Sequence, residues 1–181
     1  RFQLRSGTMT NRLIIVNVCV FLSLLLIKKS LLLFNIDPLM SDGWIHQLFD
    51  LNSSFSAFIR APWGLVTSIF THEQFGHLLF NMISLYFLGD TLLNGYGGFV
   101  HLYGEVMGQV HFVVLYFLGA MFATLIPYVR NQDNPNYRSL GASGAVSAVI
   151  FGAIIWNPAL EIQILFIPFA IPAYIFGPLY L

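Results

Sequence analysis

The chain has 181 residues, 57% of them hydrophobic and 9% charged, with a formal net charge of zero and a mean hydropathy of +0.75. Soluble domains carry about a quarter charged residues, so this composition excludes one and indicates an integral membrane protein. The balanced charge offers nothing to nucleic acid, and the lone Cys19 excludes an intramolecular disulfide.

The N-terminus carries Arg1, Arg5 and Arg12 ahead of an apolar run. No small-residue cleavage site follows at Lys28-Lys29-Ser30, so the run reads as a retained first span rather than a signal peptide. It extends from Asn11 to about Phe34, with Lys28 and Lys29 placed to snorkel toward headgroups. The arginines put the N-terminus in the cytoplasm and the next loop outside. The expected location is therefore a plasma or inner membrane, crossed several times.

From Asn35 to Leu65 no comparable run occurs. Trp44, Phe49, Phe55, Phe58 and Trp63 alternate with Asp37, Asp42, Asp50 and Arg60, which suits a long loop lying in the membrane interface. A second span covers Leu78 to Leu93, and Gly95, Gly97, Gly98 and Gly104 form an inner loop with Glu105. His111 to Val129, about 19 residues, is a third span, and Arg130 to Arg138 is a polar outer loop with a turn at Asn134-Pro135-Asn136.

A fourth helix, about Ser143 to Asn157, is only about 22 Å long at 1.5 Å per residue, so its outer end lies below the membrane surface. Irregular backbone at that depth needs protein or water beside it, so Ser139 to Ala142 implies a wet cavity open to the outside. Leu160 to Ile164 alternates apolar and polar residues and reads as a short extended segment bounded by Pro168. A fifth span begins near Ala170 and reaches Leu181 after about twelve residues, so the chain is expected to be cut before that span is complete. The fold class is all-α: one polytopic membrane helix bundle over 1–181.

The sequence Leu140-Gly141-Ala142-Ser143-Gly144-Ala145 puts one hydroxyl at a helix start. Gly141 and Gly144 let a scissile carbonyl approach, and the unpaired N–H groups of a first turn can receive an oxyanion. Gly144, Ala148 and Gly152 recur every four residues and offer a close-packing face. His77 and Asn81, at i and i+4, share one face of the second span at the depth of Ser143 and are suitable oxyanion donors. His72, about 140° away, falls at the rim or caps the turn. His46 lies in the outer loop, His101 and His111 lie at the inner interface, and Glu73 stabilises a helix dipole.

Five histidines with no cysteine pair and no His-Glu-x-x-His spacing supply no zinc ligand set, and no cofactor is expected. Without an internal repeat, a small transporter or channel is disfavoured.

Thr71-His72, His77 and Asn81 at these spacings, with Gly141-Ala142-Ser143-Gly144 and the loop pair Pro62-Trp63, resemble the rhomboid intramembrane serine protease family from about Leu13 onward. The resemblance implies a bundle of six spans, about five begun here. It implies that Ser143 attacks the scissile carbonyl, that His77, Asn81 and the Ser143 N–H bind the oxyanion, and that Gly141, Gly144 and His72 support them. The substrate implied is a transmembrane helix of a membrane protein, unwinding near its outer end. The family's general base is a sixth-span histidine, expected beyond residue 181. Gly64 follows Trp63 where the family commonly has arginine. The alternative is a non-catalytic relative that binds transmembrane segments.

Overall fold

The structure, a computed structural model, describes residues 8–37, 43, 45, 47–52, 55–132, 134, 137–163 and 168–180. The expectations for Arg1, Arg5, Asp42, Trp44, His46 and Pro135-Asn136 lie outside the described residues.

Helix α1, Met9–Leu33, starts at Thr8, whose side chain accepts from the Asn11 N–H at 3.4 Å. It ends where Asn35 takes a left-handed φ of 56° and the Ile36 N–H reaches back to the Leu31 carbonyl. Thr10, Leu13, Asn17 and Leu24 form its buried face, while Ile15, Leu22, Leu26 and Leu33 are exposed. An apolar outside over a partly polar inside is the arrangement lipid favours. Within that interior the Asn17 amide nitrogen donates to the Leu13 carbonyl at 2.8 Å and the Tyr116 hydroxyl at 3.4 Å, while its carbonyl oxygen is buried without a partner among the described residues.

The segment after α1 folds onto itself. A two-residue strand β1, Leu51–Asn52, is followed by helices α2, Phe55–Arg60, and α3, Gly64–Phe70, and side chains at the start of α3 bond to the residues just before β1. Trp63 Nε1 donates to the Leu48 carbonyl at 2.9 Å and the Thr67 hydroxyl to the Phe49 carbonyl at 2.9 Å. Gly64 lies so close to Asp50 that a Cβ there would meet its carbonyl oxygen at 2.8 Å. The position after Trp63 is thus held by backbone packing.

The expected second span falls on three consecutive helical segments: α4, Phe75–Ser84, a π turn, Leu85–Gly89, and α5, Asp90–Asn94. The π turn presents Leu85 and Gly89 to the interior, where Gly89 leaves room for Phe112 and Thr10.

Helix α6, Phe99–Arg130, is longer than the third span read from the sequence. The supposed inner loop is mostly helical, and Gly104 (φ 79°, ψ 170°) is a kink inside it. Gln109 donates to Glu105 at 2.8 Å one turn away, and at Gly104 the chain turns sharply between two helical pieces, so that Gly108 packs directly on the Val100 backbone. Helices α1 and α6 are each long and apolar enough to cross a membrane.

Strand β2, Arg138–Ser139, pairs antiparallel with β1, Leu51 opposite Ser139. Helix α7, Ser143–Trp156, follows immediately, and its inner end is fixed where Trp156 Nε1 donates to the Gly97 carbonyl at 2.8 Å. The small-residue stripe of α7 faces α6: Gly144 lies on Ala120 and Ala123, and Ala148 on Gly119, while Gly152 takes Leu92 and Leu115. In lipid, where apolar surface alone gives helices little reason to associate, such close backbone approach supplies the packing. Val146 and Val149 complete a core with Phe112, Tyr116, Leu85, Leu92 and Leu93.

The extended segment expected near Leu160 is strand β3, Glu161–Gln163, with only Ile162 buried. Its partner was not anticipated. Strand β4, Ala170–Pro172, pairs with it antiparallel, Ile162 opposite Ile171, so the last helix, α8, Ala173–Tyr180, starts three residues later than Ala170. The Ala173 N–H bonds to the Leu160 carbonyl at 2.8 Å, which commits the preceding residues to the hairpin.

Candidate functional site

Ser143 is the first residue of α7, exposed, at the edge of a cavity of about 260 Å³. Ala142 precedes the helix in its N-cap position without a side-chain cap, and the first intrahelical bond runs from the Val146 N–H to the Ala142 carbonyl at 2.8 Å. The N–H groups of Ser143, Gly144 and Ala145 therefore lack intrahelical carbonyl partners, the arrangement in which a helix start receives negative charge. Hydroxyls of Ser68, Thr124, Ser139 and Ser147 line the cavity with Ser143. A polar hollow therefore adjoins the start of α7 and the residues Ser139 to Gly141 before it.

The loop before Ser143 owes its path to Gly141. Its φ of 98° is left-handed, and a Cβ there would stand 2.6 Å from His77 Cε1. The imidazole of His77 fills the space that a side chain would need. The Gly141 N–H donates to the Ser68 carbonyl at 2.8 Å, anchoring the loop to α3.

His72 departs most from its sequence reading. It is buried rather than at the rim, 5% exposed, because the chain between α3 and α4 turns inward and its ring bridges two elements. The Ala142 N–H donates to His72 Nε2 at 3.3 Å, and Asn81 Nδ2 lies 3.2 Å from the same nitrogen. A backbone N–H can only donate, so Nε2 carries the lone pair and the proton sits on Nδ1, 3.3 Å from the Phe70 carbonyl that it reaches. His72 is thus a neutral linchpin between α4 and the Ser143 loop, its ring edge-on to His77 at a centroid distance of 5.2 Å. Helical spacing from His77 misplaced it because His72 lies before the helix begins.

Burial pushes the His72 pKa down to about 4; the Phe70 carbonyl bond opposes this, and the neighbouring His77 adds to it. Charging the ring would turn Nε2 into a donor facing two donors. The unfolded chain takes up that proton from about pH 6.5 downward while the folded chain resists it, so stability present above pH 6.5 is lost as the pH falls toward about 4. His72→Gln, which stays neutral and can still accept, is expected to flatten this part of a profile of thermal midpoint against pH in detergent.

Asn81 is buried, and one hydrogen of its amide nitrogen serves His72, which leaves the second for a ligand. The structure thus gathers His72, His77 and Asn81 around Gly141 and Ala142, the two residues before Ser143. His77 and Asn81 stand on the far side of Gly141 and do not line the cavity themselves. Among the described residues, Ser143 makes no hydrogen bond to an imidazole. His101 is exposed and His111 is stacked on Tyr103, its Nδ1 2.6 Å from the Met107 carbonyl, so neither approaches this site. Ser147, one turn beyond Ser143, is 3.0 Å from the Tyr180 hydroxyl of α8, a contact that the sequence reading missed.

The family described as Rhomboid domain matches residues 60–181. The chain is 33% identical over 121 residues, 62% of its own length and 34% of the relative's, to "RHOMBOID-like protein 12, mitochondrial" of Arabidopsis thaliana. It is 27% identical over 105 residues to the bovine "Presenilin-associated rhomboid-like protein, mitochondrial", covering 58% of this chain and 25% of that one, and 26% identical to the human protein of the same name. The chain therefore spans about a quarter to a third of the length of these relatives. No solved structure matches. The mitochondrial names of these relatives overturn the expected plasma or inner membrane location, which rested on positive residues that do not distinguish one membrane system from another. With the matched domain covering most of its length, this chain belongs to the rhomboid family.

Proposed function

We propose that the protein is an intramembrane serine endopeptidase of a mitochondrial membrane that cleaves a transmembrane helix near its end, through the hydroxyl of Ser143. The observation carrying this reading is the start of α7: Ser143 borders a hydroxyl-lined cavity, with the free N–H groups of a first helical turn beside it. In the mechanism, a substrate helix frays at its end and lays an extended segment into the cavity beside Ser143. The Ser143 oxygen attacks the carbonyl, and the Ser143 N–H, the second amide hydrogen of Asn81 and His77 bind the oxyanion.

The proton of the hydroxyl passes to a histidine on a further helix, as in the rhomboid arrangement of six spans; without such a base a serine is a weak nucleophile. Support for Asn81 comes from its tether to His72, which fixes the carboxamide before substrate arrives. Asn81→Ala is expected to lower kcat by about 10² to 10³-fold, the loss typical of one oxyanion donor, in cleavage assays of the full-length protein.

A fluorophosphonate probe tests the reading directly: full-length protein in detergent should become labelled at Ser143, mapped by peptide mass spectrometry. Intact, folded protein that leaves Ser143 unmodified would overturn the proposal and favour a rhomboid relative that binds transmembrane segments without cutting them.

A further inference from the structure

The cavity beside Ser143 carries more hydrogen-bonding capacity than the serine chemistry uses. His77 and Asn81 stand across Gly141, outside it, so its remaining polar groups face space that the catalytic residues leave open.

Four residues with hydroxyls line this cavity besides Ser143, and they differ in how far those hydroxyls are engaged. Ser68 is 5% exposed, yet among the described residues its hydroxyl makes no hydrogen bond; its carbonyl, not its side chain, holds the Gly141 N–H. The hydroxyl of the half-buried Ser139 likewise has no partner among the described residues. Thr124 donates back to the Ala120 carbonyl and Ser147 is shared with Tyr180, so each oxygen keeps a lone pair for a further donor. Pro127 has no N–H to give the Ala123 carbonyl one turn back, which leaves an acceptor among the lining residues. No residue of the lining is charged.

An occupant that leaves buried hydroxyls unpaired is penalised, and one that brings an unpaired charge is penalised more. The side chain that fits both donates and accepts and is neutral. We infer, on the reading of Ser143 as nucleophile, that this cavity selects substrates with a serine, threonine, asparagine or glutamine flanking the scissile bond, and that Ser68 and Ser139 are the selecting residues. With the carbonyl oxygen drawn toward Asn81 and His77 beyond Gly141, the other substituents of that carbon turn to the opposite side, where the cavity lies. Lipid sharpens the choice. A neutral polar side chain is costly in the hydrocarbon around a transmembrane segment and gains on reaching these hydroxyls, whereas an apolar one leaves a medium that suits it.

The test uses full-length protein in detergent and a transmembrane substrate with a mapped cut site. The residues on either side of the cut are changed one at a time to threonine or valine, which differ by a hydroxyl in place of a methyl. At one of the two positions threonine is expected to give a kcat/KM about 10 to 100-fold above that of valine, the effect of leaving polar groups of a site unpaired. In Ser68→Ala with Ser139→Ala this ratio should shrink toward unity; taken from two substrates on one preparation, it does not depend on how much of the enzyme is folded. Equal rates for threonine and valine in the unmutated protein, or a preference that survives the alanine pair, would overturn the selection and leave the endopeptidase reading standing. Absence of any cleavage, with Ser143 unlabelled by the fluorophosphonate, would remove that reading and the selection with it.

Discussion

Ser143→Ala in the full-length protein is expected to reduce cleavage of a transmembrane substrate to background, a loss of at least about 1000-fold, with expression and thermal midpoint unchanged. The size follows from the reaction: with no hydroxyl there is no covalent intermediate, and what remains is whatever the oxyanion donors and binding provide. The absence of a structural effect follows from the site. Ser143 is exposed at the cavity edge and caps no helix, and α7 is held by residues further along: Gly144, Val146, Ala148 and Val149. Replacing an exposed hydroxyl by a methyl removes no packing and leaves no buried polar group unpaired. Cleavage that persists in Ser143→Ala, measured by gel assay against a substrate with a mapped cut site, would remove the serine from the chemistry. A collapse in thermal midpoint instead would mean that the helix start has a structural role not evident in its contacts.

Gly119→Val is expected to have the largest effect on stability, about 3 kcal/mol or more, seen as loss of folded protein in detergent and a strongly lowered unfolding midpoint. Any Cβ at Gly119 would overlap the Cβ of Ala148, a branch fixed to the backbone of α7 that cannot rotate away. Relief therefore requires the two helices to separate, which strips contacts along the whole Gly144, Ala148 and Gly152 stripe, and overpacking of this kind commonly costs 1 to 3 kcal/mol even where side chains can adjust. Gly76→Ala is the matched control. Its Cβ meets nothing within 4 Å, and in a helix alanine is better than glycine by about 1 kcal/mol, so its midpoint should hold or rise. Equal behaviour of the two variants would refute the view that α6 and α7 are joined by small-residue contact.

Both predictions draw on features that were legible in the chain before any fold was known. Hydropathy alone located α1 within two residues at its start and one at its end, because a membrane helix must be apolar along its length and its limits follow from that need. The four-residue recurrence of small residues in α7 announced a close neighbour, since only backbone contact requires it, and the alternation at Leu160 to Ile164 announced an extended segment. The serine at a helix start was readable for the same local reason: a glycine-containing turn runs straight into an apolar stretch.

Relations between distant segments were not readable. The sequence offered no sign that Ala170 to Pro172 would return to Ile162, because three apolar residues before a helix look like its first turn until a partner strand claims their hydrogen bonds. Residues 99–110 looked like loop because their glycines were counted without the neighbours that make them useful: Gly108 pressed on Val100, and Gly104 turning the chain.

The chemistry divides along the same line. By itself, the sequence determined a membrane protein, a helix-start serine, and an imidazole and an amide one turn apart, since composition and local periodicity are properties of neighbouring residues. Only the tertiary structure decided that His72 is the neutral bridge from Asn81 to the Ala142 N–H, 70 residues away, and that His77 occupies the space of a missing Gly141 side chain. Those contacts join segments whose approach is set by the packing of α4 and α7, and no local pattern along the chain records how two helices will meet.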